Sequence, residues 1–282
     1  MLTFPPAKLN LGLFVTGKRA DGFHALESVF MPIGWTDVME VVAVEGAGEF
    51  VLEVLGRAVP GGAGENLVER AYREVVAEAV GPVPSLRAQL VKALPMGAGL
   101  GGGSSDGTWM LRMLRDGFGV KLRDGDWGGL AAKLGSDCPF FLGDGPAWVG
   151  GRGEVVEPWG WEALPQLRGR HVAVVHPGVH VGTREAFAGV VPRPAPMDLR
   201  ELGALELDAW QGRVWNDFEA GIVARVPEVG EALGLVEAAG AVYRSMTGSG
   251  SAVYGVFEDA AGAQRAEDAG RDRGWDVWSG PL

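Results

Sequence analysis

The stretch that decides the fold of this chain is Pro95-Met96-Gly97-Ala98-Gly99-Leu100-Gly101-Gly102-Gly103-Ser104-Ser105. Because glycine has no side chain, the backbone N–H groups of such a loop can close around an anion. A strand is predicted before the loop, at Leu86–Leu94, and a helix after it, with Ser104 or Ser105 as its N-cap. A helix that begins at the loop directs its positive end toward the same place, so the pattern predicts a phosphate-binding site.

Other interpretations of the glycine run are weaker. A flexible surface loop is the usual alternative, but the position between a strand and a helix disfavours it. The loop is not a Walker A loop, because it has no Gly-Lys-Ser/Thr. Its spacing does not fit the dinucleotide-binding fingerprint, and no early βαβ unit is recognised before it.

The remaining periodicities predict an α+β fold with helices on one face of an antiparallel sheet. A turn is predicted at Thr16–Gly22, and Asn66 is expected to cap the first long helix. Glycine-rich sequence near Gly150–Glu157 predicts a boundary between two domains, 1–152 and 153–282. The other predicted elements are strands at Val38–Val44, Phe50–Leu55, His171–His176, Ser251–Phe257 and Trp275–Trp278, and helices at Asn66–Val80, Asn216–Arg225, Glu228–Ala239 and Ala260–Asp272.

Composition limits the partners of the chain. The 282 residues are 47% hydrophobic, which is enough for a sizeable core, and carry a formal net charge of −11 with a pI near 4.9. This charge argues against nucleic acid as a partner, and it requires local cations or backbone N–H groups to attract any phosphate. One cysteine excludes an intramolecular disulfide. Since neither a signal peptide nor a membrane-length apolar run is recognised, we expect a cytoplasmic protein without a membrane partner.

Three segments in order resemble the motifs of the GHMP kinases, the superfamily of galactokinase, homoserine kinase and mevalonate kinase. They are Pro6-Ala7-Lys8-Leu9-Asn10-Leu11, the glycine loop, and Met246-Thr247-Gly248-Ser249-Gly250-Ser251-Ala252. The resemblance implies an ATP-dependent small-molecule kinase. It also implies an N-terminal nucleotide-binding domain and a C-terminal ferredoxin-like α/β sandwich.

Further segments narrow the resemblance to one family of these kinases. They are Arg19–His24, Leu134–Phe141 and Pro177–Thr183, and together the blocks span essentially the whole chain. They are similar to kinases that phosphorylate the 2-hydroxyl of 4-diphosphocytidyl-2-C-methyl-D-erythritol in the non-mevalonate isoprenoid pathway, giving the 2-phosphate and ADP. The resemblance implies ATP as co-substrate with Mg²⁺, whose ligands the sequence does not identify, and a monomer or homodimer.

Two residues match the catalytic pair of that family. Asp137 matches the base that takes the hydroxyl proton, although a free aspartate, with a pKa near ~3.9, is a weak base. Lys8 matches the lysine that would orient this base and neutralise the transferred phosphoryl group. Taken alone, Asp137 could be a turn aspartate and Lys8 an exposed strand lysine, but both stand inside matching motifs.

The resemblance also implies the residues that hold ATP. Asn66 matches an adenine-contacting position, which is compatible with its predicted capping role. The whole glycine loop would hold the phosphates: Pro95, Met96, Gly97, Ala98, Gly99, Leu100, Gly101, Gly102, Gly103, Ser104 and Ser105.

The remaining matches concern the second substrate. Asn10 would hydrogen-bond the substrate or Asp137, and Thr183 would contact the substrate. Phe23 would stack on the cytosine and His24 would hydrogen-bond it, with Phe187 as a second aromatic wall, for which core packing is the alternative. Most relatives have tyrosine at Phe23, so any contact from that hydroxyl is absent here. Near the diphosphate, the resemblance places Gly248, Ser249 and Gly250, for which a glycine turn before the strand Ser251–Phe257 is the alternative.

Two other functions are compatible with these motifs. One is another GHMP activity, of the homoserine or mevalonate kinase type, but Gly22-Phe23-His24 would then have no cytosine to bind. The other is a GHMP-fold sensor that binds ligands without catalysis. The presence of both Lys8 and Asp137 disfavours the sensor, because pure binding does not need that pair.

Overall fold

The computed structural model describes residues 1–59 and 64–282, which form two compact units. The first unit consists of Met1–Ala7, Thr36–Met96 and Gly101–Asp144. The second consists of Lys8–Trp35, Gly97–Leu100 and Gly145–Leu282. The division of the sequence at residue 152 remains a prediction.

The first unit is a four-stranded sheet with helices on one face. The strands have the order β1 (Leu2–Thr3), β4 (Val38–Ala47), β6 (Pro84–Lys92) and β5 (Phe50–Gly56). The helices are α1 (Leu67–Glu78), α2 (Gly102–Arg112), extended by a π-turn at Met113–Gly117, and α3 (Trp127–Leu134), followed by a 3₁₀ turn at Cys138–Leu142. Alternate residues of the strands, among them Met39, Val41, Leu86, Ala88 and Leu90, are buried with the apolar faces of α1, α2 and α3.

One pair of strands differs from the predicted antiparallel sheet. β5 and β6 are parallel, whereas β4 and β6 are antiparallel. Parallel neighbours need a crossover, and α1 supplies it, so β5, α1 and β6 form a βαβ unit directly before the glycine loop. The expectation that no such unit precedes the loop is therefore wrong.

The first sheet of the second unit carries the motif near the N-terminus. Its strands are β2 (Pro6–Lys18), β3 (His24–Thr36), β7 (Ala147–Gly150) and β8 (Val155–Pro158), in that order. The predicted turn at Thr16–Gly22 is wrong in its first half, because β2 continues to Lys18. The turn itself covers residues 19–22, where Gly22 has a φ of +86° and its N–H donates to the carbonyl of Arg19.

The second sheet has ferredoxin-like topology. Its strands are β9 (His171–His176), β10 (Tyr243–Met246), β11 (Val253–Phe257) and β12 (Asp276–Pro281), with the spatial order β10-β11-β9-β12 and antiparallel pairs throughout. Helices α6 (Pro227–Ala238) and α7 (Ala260–Arg271) pack against it. The predicted α+β class and the ferredoxin-like arrangement of the C-terminal part are thus confirmed.

Smaller elements complete the second unit. The helix predicted at Asn216–Arg225 is shorter, at α5 (Glu219–Val223), because the Asn216 amide is occupied in a turn where it accepts from the N–H of Phe218. A further short helix, α4, covers Thr183–Ala188. The 3₁₀ turns are Trp161–Ala163, Pro165–Leu167, Leu199–Ala204 and Leu207–Ala209.

Candidate active site

The glycine loop has a backbone shape suited to anions. Gly97, Gly99 and Gly101 have φ values of +63°, +80° and +71°, while no residue other than glycine has a positive φ in the described chain. The handedness of the backbone therefore alternates from residue 97 to residue 101. Alternation of this kind turns successive N–H groups toward one concave side, which is the arrangement of an anion-binding nest.

Helix α2 begins at this nest, but its cap is not the one predicted. Gly101, in the left-handed region, occupies the N-cap position, whereas Ser104 and Ser105 lie inside the first turn. The predicted serine cap is wrong because the chain enters the helix at a positive φ, which glycine adopts without strain. The N–H groups of Gly102, Gly103 and Ser104 precede the first bond of the helix, which Ser105 N–H donates to the carbonyl of Gly101. Apart from the helix's own backbone and the chain neighbours, no atom lies within 4 Å of the Cβ position of Gly103. This end of the helix is thus open to an anion.

The segment that carries Asp137 is fastened to the same helix within the first unit. The Thr108 hydroxyl donates to the carbonyl oxygen of Cys138 over 3.0 Å, and Asp137 precedes the 3₁₀ turn at Cys138–Leu142. Burial raises the pKa of the Cys138 thiol to about 11, so this neighbour of Asp137 is a packing residue, as expected. Asp137 itself is partly exposed.

The start of helix α1 lies against α2. Asn66 caps α1 by accepting from the N–H of Val68 over 2.9 Å, as predicted. The Cβ position of Gly107 on α2 is only 2.9 Å from the Cβ atom of Leu67, so the two helices approach closely there. The predicted adenine-contacting residue therefore lies in the same unit as Ser104, Ser105 and Asp137.

A buried ion cluster joins the two flanks of the glycine loop in the first unit. The ammonium of Lys92, at the end of β6, contacts carboxylate oxygens of Asp37 and of Asp106, the latter at 2.6 Å on α2. The other oxygen of Asp37 accepts from the N–H groups of Ala93 and Leu94 at 2.6 and 2.9 Å. Burial raises the pKa of Asp106 to about 7, although the Lys92 charge opposes this shift. The cluster thus ties the strand before the loop to the helix after it.

Lys8 is buried in the second unit beside the same loop. Its side chain is 2% exposed, so the alternative of a solvent-facing strand lysine is wrong. Its backbone N–H donates to the carbonyl of Leu100 over 2.9 Å, and its ammonium lies 4.7 Å from the centre of the Phe30 ring. The ammonium also donates to Asn10 Oδ1 over 2.6 Å.

The side chain of Asn10 connects Lys8 to the third motif. Besides Lys8, Asn10 Oδ1 accepts from the N–H of Gly248 at 2.8 Å and from the hydroxyl of Thr247 at 3.0 Å. Asn10 Nδ2 donates to the hydroxyl of Ser28 at 2.9 Å. These bonds of Asn10 hold protein groups together, and Asn10 is 1% exposed.

The glycine loop and the third motif also touch directly within the second unit. The Cβ position of Gly99 is 2.1 Å from the carbonyl oxygen of Thr247, and that of Gly248 is 2.8 Å from the carbonyl oxygen of Gly99. Only glycine allows two backbones to approach so closely. Gly248, which is predicted near the diphosphate, is thereby brought to the loop. The hydroxyl of the next residue, Ser249, lies 3.4 Å from that of Thr183.

Three aromatic rings predicted for cytosine lie in the second unit. The ring of His24 stacks on Phe187 with a centroid distance of 4.8 Å and an angle of 14° between planes. Phe187 also meets Phe218 edge-on, so it has the core contacts of the alternative interpretation. Phe23 is 53% exposed, and the guanidinium of Arg152 lies 5.0 Å from its ring centre. Phe23 is therefore the ring most accessible to a base.

Sequence reasoning missed several residues of this region. Ser28 and Thr247 bond Asn10, His180 Nδ1 lies 2.5 Å from the Cβ position of Gly97, and Lys92 forms the ion cluster. Thr247 and His180 stand inside quoted motifs, so the motifs themselves were a signal for them. Ser28 is part of a strand without any motif, and nothing in its neighbourhood distinguishes it.

Two searches over the described residues bear on other kinds of site. No helix there has the length and the hydrophobicity to cross a membrane. Likewise, residues 1–59 and 64–282 hold no group of three or more His, Cys, Asp and Glu side chains placed to bind a metal ion.

The fold and the loop define a small-molecule kinase of the GHMP type. Residues 66–145 match the GHMP kinases N terminal domain, and residues 189–274 match the GHMP kinases C terminal domain. Together these matches cover more than half of the chain.

Similar proteins narrow the classification. A protein of Bacteroides thetaiotaomicron named 4-diphosphocytidyl-2-C-methyl-D-erythritol kinase is 38% identical over 260 residues, covering 92% of each chain. One from Porphyromonas gingivalis with the same name is 38% identical over 264 residues, covering 92% of this chain and 93% of its own. A crystal structure of 4-(cytidine 5'-diphospho)-2C-methyl-D-erythritol kinase superposes with a TM-score of 0.80 at 33% identity, covering 99% and 98%. The chain belongs to the 4-diphosphocytidyl-2-C-methyl-D-erythritol kinase family of the GHMP kinases.

Proposed function

We propose that this protein transfers the γ-phosphate of ATP to the 2-hydroxyl of 4-diphosphocytidyl-2-C-methyl-D-erythritol, giving the 2-phosphate and ADP. The names of the relatives supply the substrate. The observation that carries the chemistry is Lys8, a buried ammonium whose backbone bonds the glycine loop and whose side chain bonds Asn10. A buried lysine that is held beside a phosphate-binding loop favours a role in the reaction, because titratable groups placed in this way cluster at functional sites.

The glycine loop and the first turn of α2 are proposed to hold the phosphates of ATP. The chain is acidic overall, so the attraction must be local. The alternating backbone at Gly97–Gly101 and the open N-terminus of α2 supply N–H donors and the positive end of a helix dipole. Asn66, at the start of α1, is proposed to contact the adenine.

Asp137 and Lys8 are proposed to be the catalytic residues. Asp137 would accept the proton of the attacking hydroxyl, whose oxygen then bonds the γ-phosphorus as the bond to the leaving ADP oxygen breaks. Lys8 would offset the negative charge of the phosphoryl group during transfer. Such reactions depend mainly on positioning and on stabilisation of the phosphoryl charge.

The cytidine end is proposed to bind at the aromatic residues of the second unit. A cytosine ring would stack on the exposed face of Phe23, while His24 would bond its polar edge. The ring of Phe187 stacks on the ring of His24 and would form a second aromatic wall next to the base. We propose that Gly248 and Ser249 lie at the diphosphate and that Thr183 contacts the substrate. We propose Asn10 as a residue that orients Lys8.

The proposal also covers the metal cofactor, the location and the partners of the protein. We propose that Mg²⁺ accompanies ATP and neutralises charge on the transferred phosphate, as in phosphoryl transfer generally. We also propose a cytoplasmic protein, active as a monomer or homodimer on small molecules, without a nucleic acid or membrane partner. The net charge of −11 supports the exclusion of nucleic acid.

A coupled assay of ADP release by the purified protein tests the proposal. Turnover is expected with the cytidyl substrate and not with homoserine or mevalonate. Turnover with another alcohol would keep the phosphate-loop assignment and refute the cytosine assignment. Binding of ATP without turnover of any of the three would favour the sensor.

A further inference from the structure

The orientation of the Asn10 side chain is determined by its partners. Lys8 Nζ and the N–H of Gly248 are donors only, and both lie within 2.8 Å of Asn10 Oδ1. The oxygen of the amide must therefore face them, and the NH₂ group must point the other way. In that direction lies the hydroxyl of Ser28, 2.9 Å from Asn10 Nδ2.

Ser28 can only accept from this amide. A hydroxyl has a single proton, and that of Ser28 is donated to the carbonyl oxygen of Gly12 over 2.6 Å. The Gly12 carbonyl cannot donate in return. The chain of bonds from Asn10 Nδ2 to Ser28 Oγ to Gly12 O therefore runs in one direction, and it would not tolerate an amide turned over. Ser28 is fully buried, so its hydroxyl has no contact with bulk solvent in the wild type.

We propose that Ser28 is a positioning residue for Lys8, acting through the amide of Asn10. The proposal rests on the proposed role of Lys8 in phosphoryl transfer. Ser28 holds the NH₂ group, so the amide oxygen of Asn10 faces the ammonium and helps to fix its position. Thr247 assists from the opposite side, since its hydroxyl lies 3.0 Å from the same oxygen and accepts from the backbone N–H of Asn10 at 3.2 Å.

Two substitutions test the role of Ser28. Ser28→Ala leaves the NH₂ group of Asn10 without an acceptor, and kcat is expected to fall roughly 100-fold because the amide oxygen that contacts the ammonium can then shift. The KM for ATP is expected to change less than about twofold, since the phosphate loop is untouched. Ser28→Thr keeps the hydroxyl and is expected to recover most of the lost kcat.

A matched control separates positioning from folding. Ser85 is also fully buried on a strand, but its hydroxyl accepts from the N–H of Glu49 in the first unit. Ser85→Ala is expected to lower the free energy of unfolding much as Ser28→Ala does, while kcat stays unchanged. Equal kcat for both variants and the wild type would overturn the proposal.

A third variant covers the case in which Ser28→Ala does not fold. Asn10→Asp has the same shape but replaces the NH₂ donor by an acceptor oxygen, which opposes Ser28 and adds a negative charge beside Lys8. Its kcat is expected to fall at least as far as that of Ser28→Ala. Near-normal kcat in Asn10→Asp would contradict the directional chain.

An NMR readout keeps this proposal distinct from the proposed function. The side-chain NH₂ protons of Asn10 are expected to exchange slowly with solvent in the wild type and in Ser28→Thr, and much faster in Ser28→Ala. Fast exchange in the wild type would refute the directional chain even if the enzyme turns over. Slow exchange in a wild type without turnover would support the chain of bonds and refute the proposed function instead.

Discussion

Replacement of Gly99 by alanine tests how closely the glycine loop must approach the third motif. Gly99 has a φ of +80°, and its Cβ position is 2.1 Å from the carbonyl oxygen of Thr247. Ordinary van der Waals contact begins near 3.4 Å. In Gly99→Ala the two backbones must therefore move apart by more than about 1 Å, in addition to the left-handed strain of about 1–2 kcal/mol.

This displacement should reach Lys8. The carbonyl of the next residue, Leu100, accepts from the Lys8 backbone, and the amide of Gly248 bonds Asn10. Both bonds depend on the present separation of loop and motif. We expect kcat to fall roughly 100-fold, in line with the cost of an ångström-scale misplacement in an active site.

Gly119 offers a matched control for the backbone strain. It has a φ of +67° and no atom within 4 Å of its Cβ position. Gly119→Ala should therefore lose about 1–2 kcal/mol of unfolding free energy, through strain alone, and keep its kcat. Urea unfolding and coupled turnover of both variants measure the two effects. If Gly99→Ala matched Gly119→Ala in stability and retained normal kcat, the close approach would have no functional consequence and the reasoning would be refuted.

Three further predictions concern single side chains. Asp106 has a folded pKa of about 7, above its ordinary 3.8, so its contribution to stability is fully present below pH 3.8 and is lost as the pH rises through 7. From pH 6 to pH 8 the free energy of unfolding of the wild type should fall by roughly 1 kcal/mol through this group, and that of Asp106→Asn should not; an equal pH dependence in the two proteins would contradict this. Asp137→Asn should lower kcat roughly 10²- to 10⁴-fold, while calorimetry should show an unchanged affinity for ATP. Asp144→Asn, at an exposed aspartate, is the control variant. Near-normal turnover of Asp137→Asn would exclude Asp137 as the base. His24→Ala should raise the KM for the cytidyl substrate roughly tenfold or more, because a ring contact with the base is lost. The KM for ATP should change little. Equal increases in the KM values of the two substrates would count against the cytosine site.

The order of strand, glycine loop and helix could be predicted because it depends on local features. A strand is indicated by the alternating apolar residues in Leu86–Leu94, and a helix by the apolar residue at every fourth position after Asn66. The dense glycine run indicates a loop. The cap of α2 could not be predicted in the same way, because Ser104 and Gly101 are both acceptable N-caps by composition. The positive φ at Gly101 decides between them, and only the path of the folded loop sets that angle.

The sheet pairing was predicted less well than the elements. The parallel pairing of β5 with β6 depends on the crossover through α1. A strand as short as β10, with four residues, contains too little sequence to indicate its partner. Partners of a strand are set by tertiary packing, which a single sequence does not display.

The polar networks of the site lay beyond sequence reasoning for a related reason. Asn10 bonds residues 18 and 237 positions away, and Lys92 bonds Asp37, 55 positions before it. Motif matches supplied Lys8 and Asn10 as candidates, but not the direction of the bonds between Asn10 and Ser28. That direction follows only from the set of donors and acceptors that the fold assembles.

The position of the new phosphate tests the central claim most directly. The purified protein would be incubated with ATP, magnesium and the cytidyl substrate, and the products followed by ³¹P and ¹³C NMR. The account predicts equal amounts of ADP and a phosphate monoester whose phosphorus couples to carbon 2 of the methylerythritol, formed by the wild type and lost in Asp137→Asn. ADP release without that ester, or an ester on another hydroxyl, would contradict it.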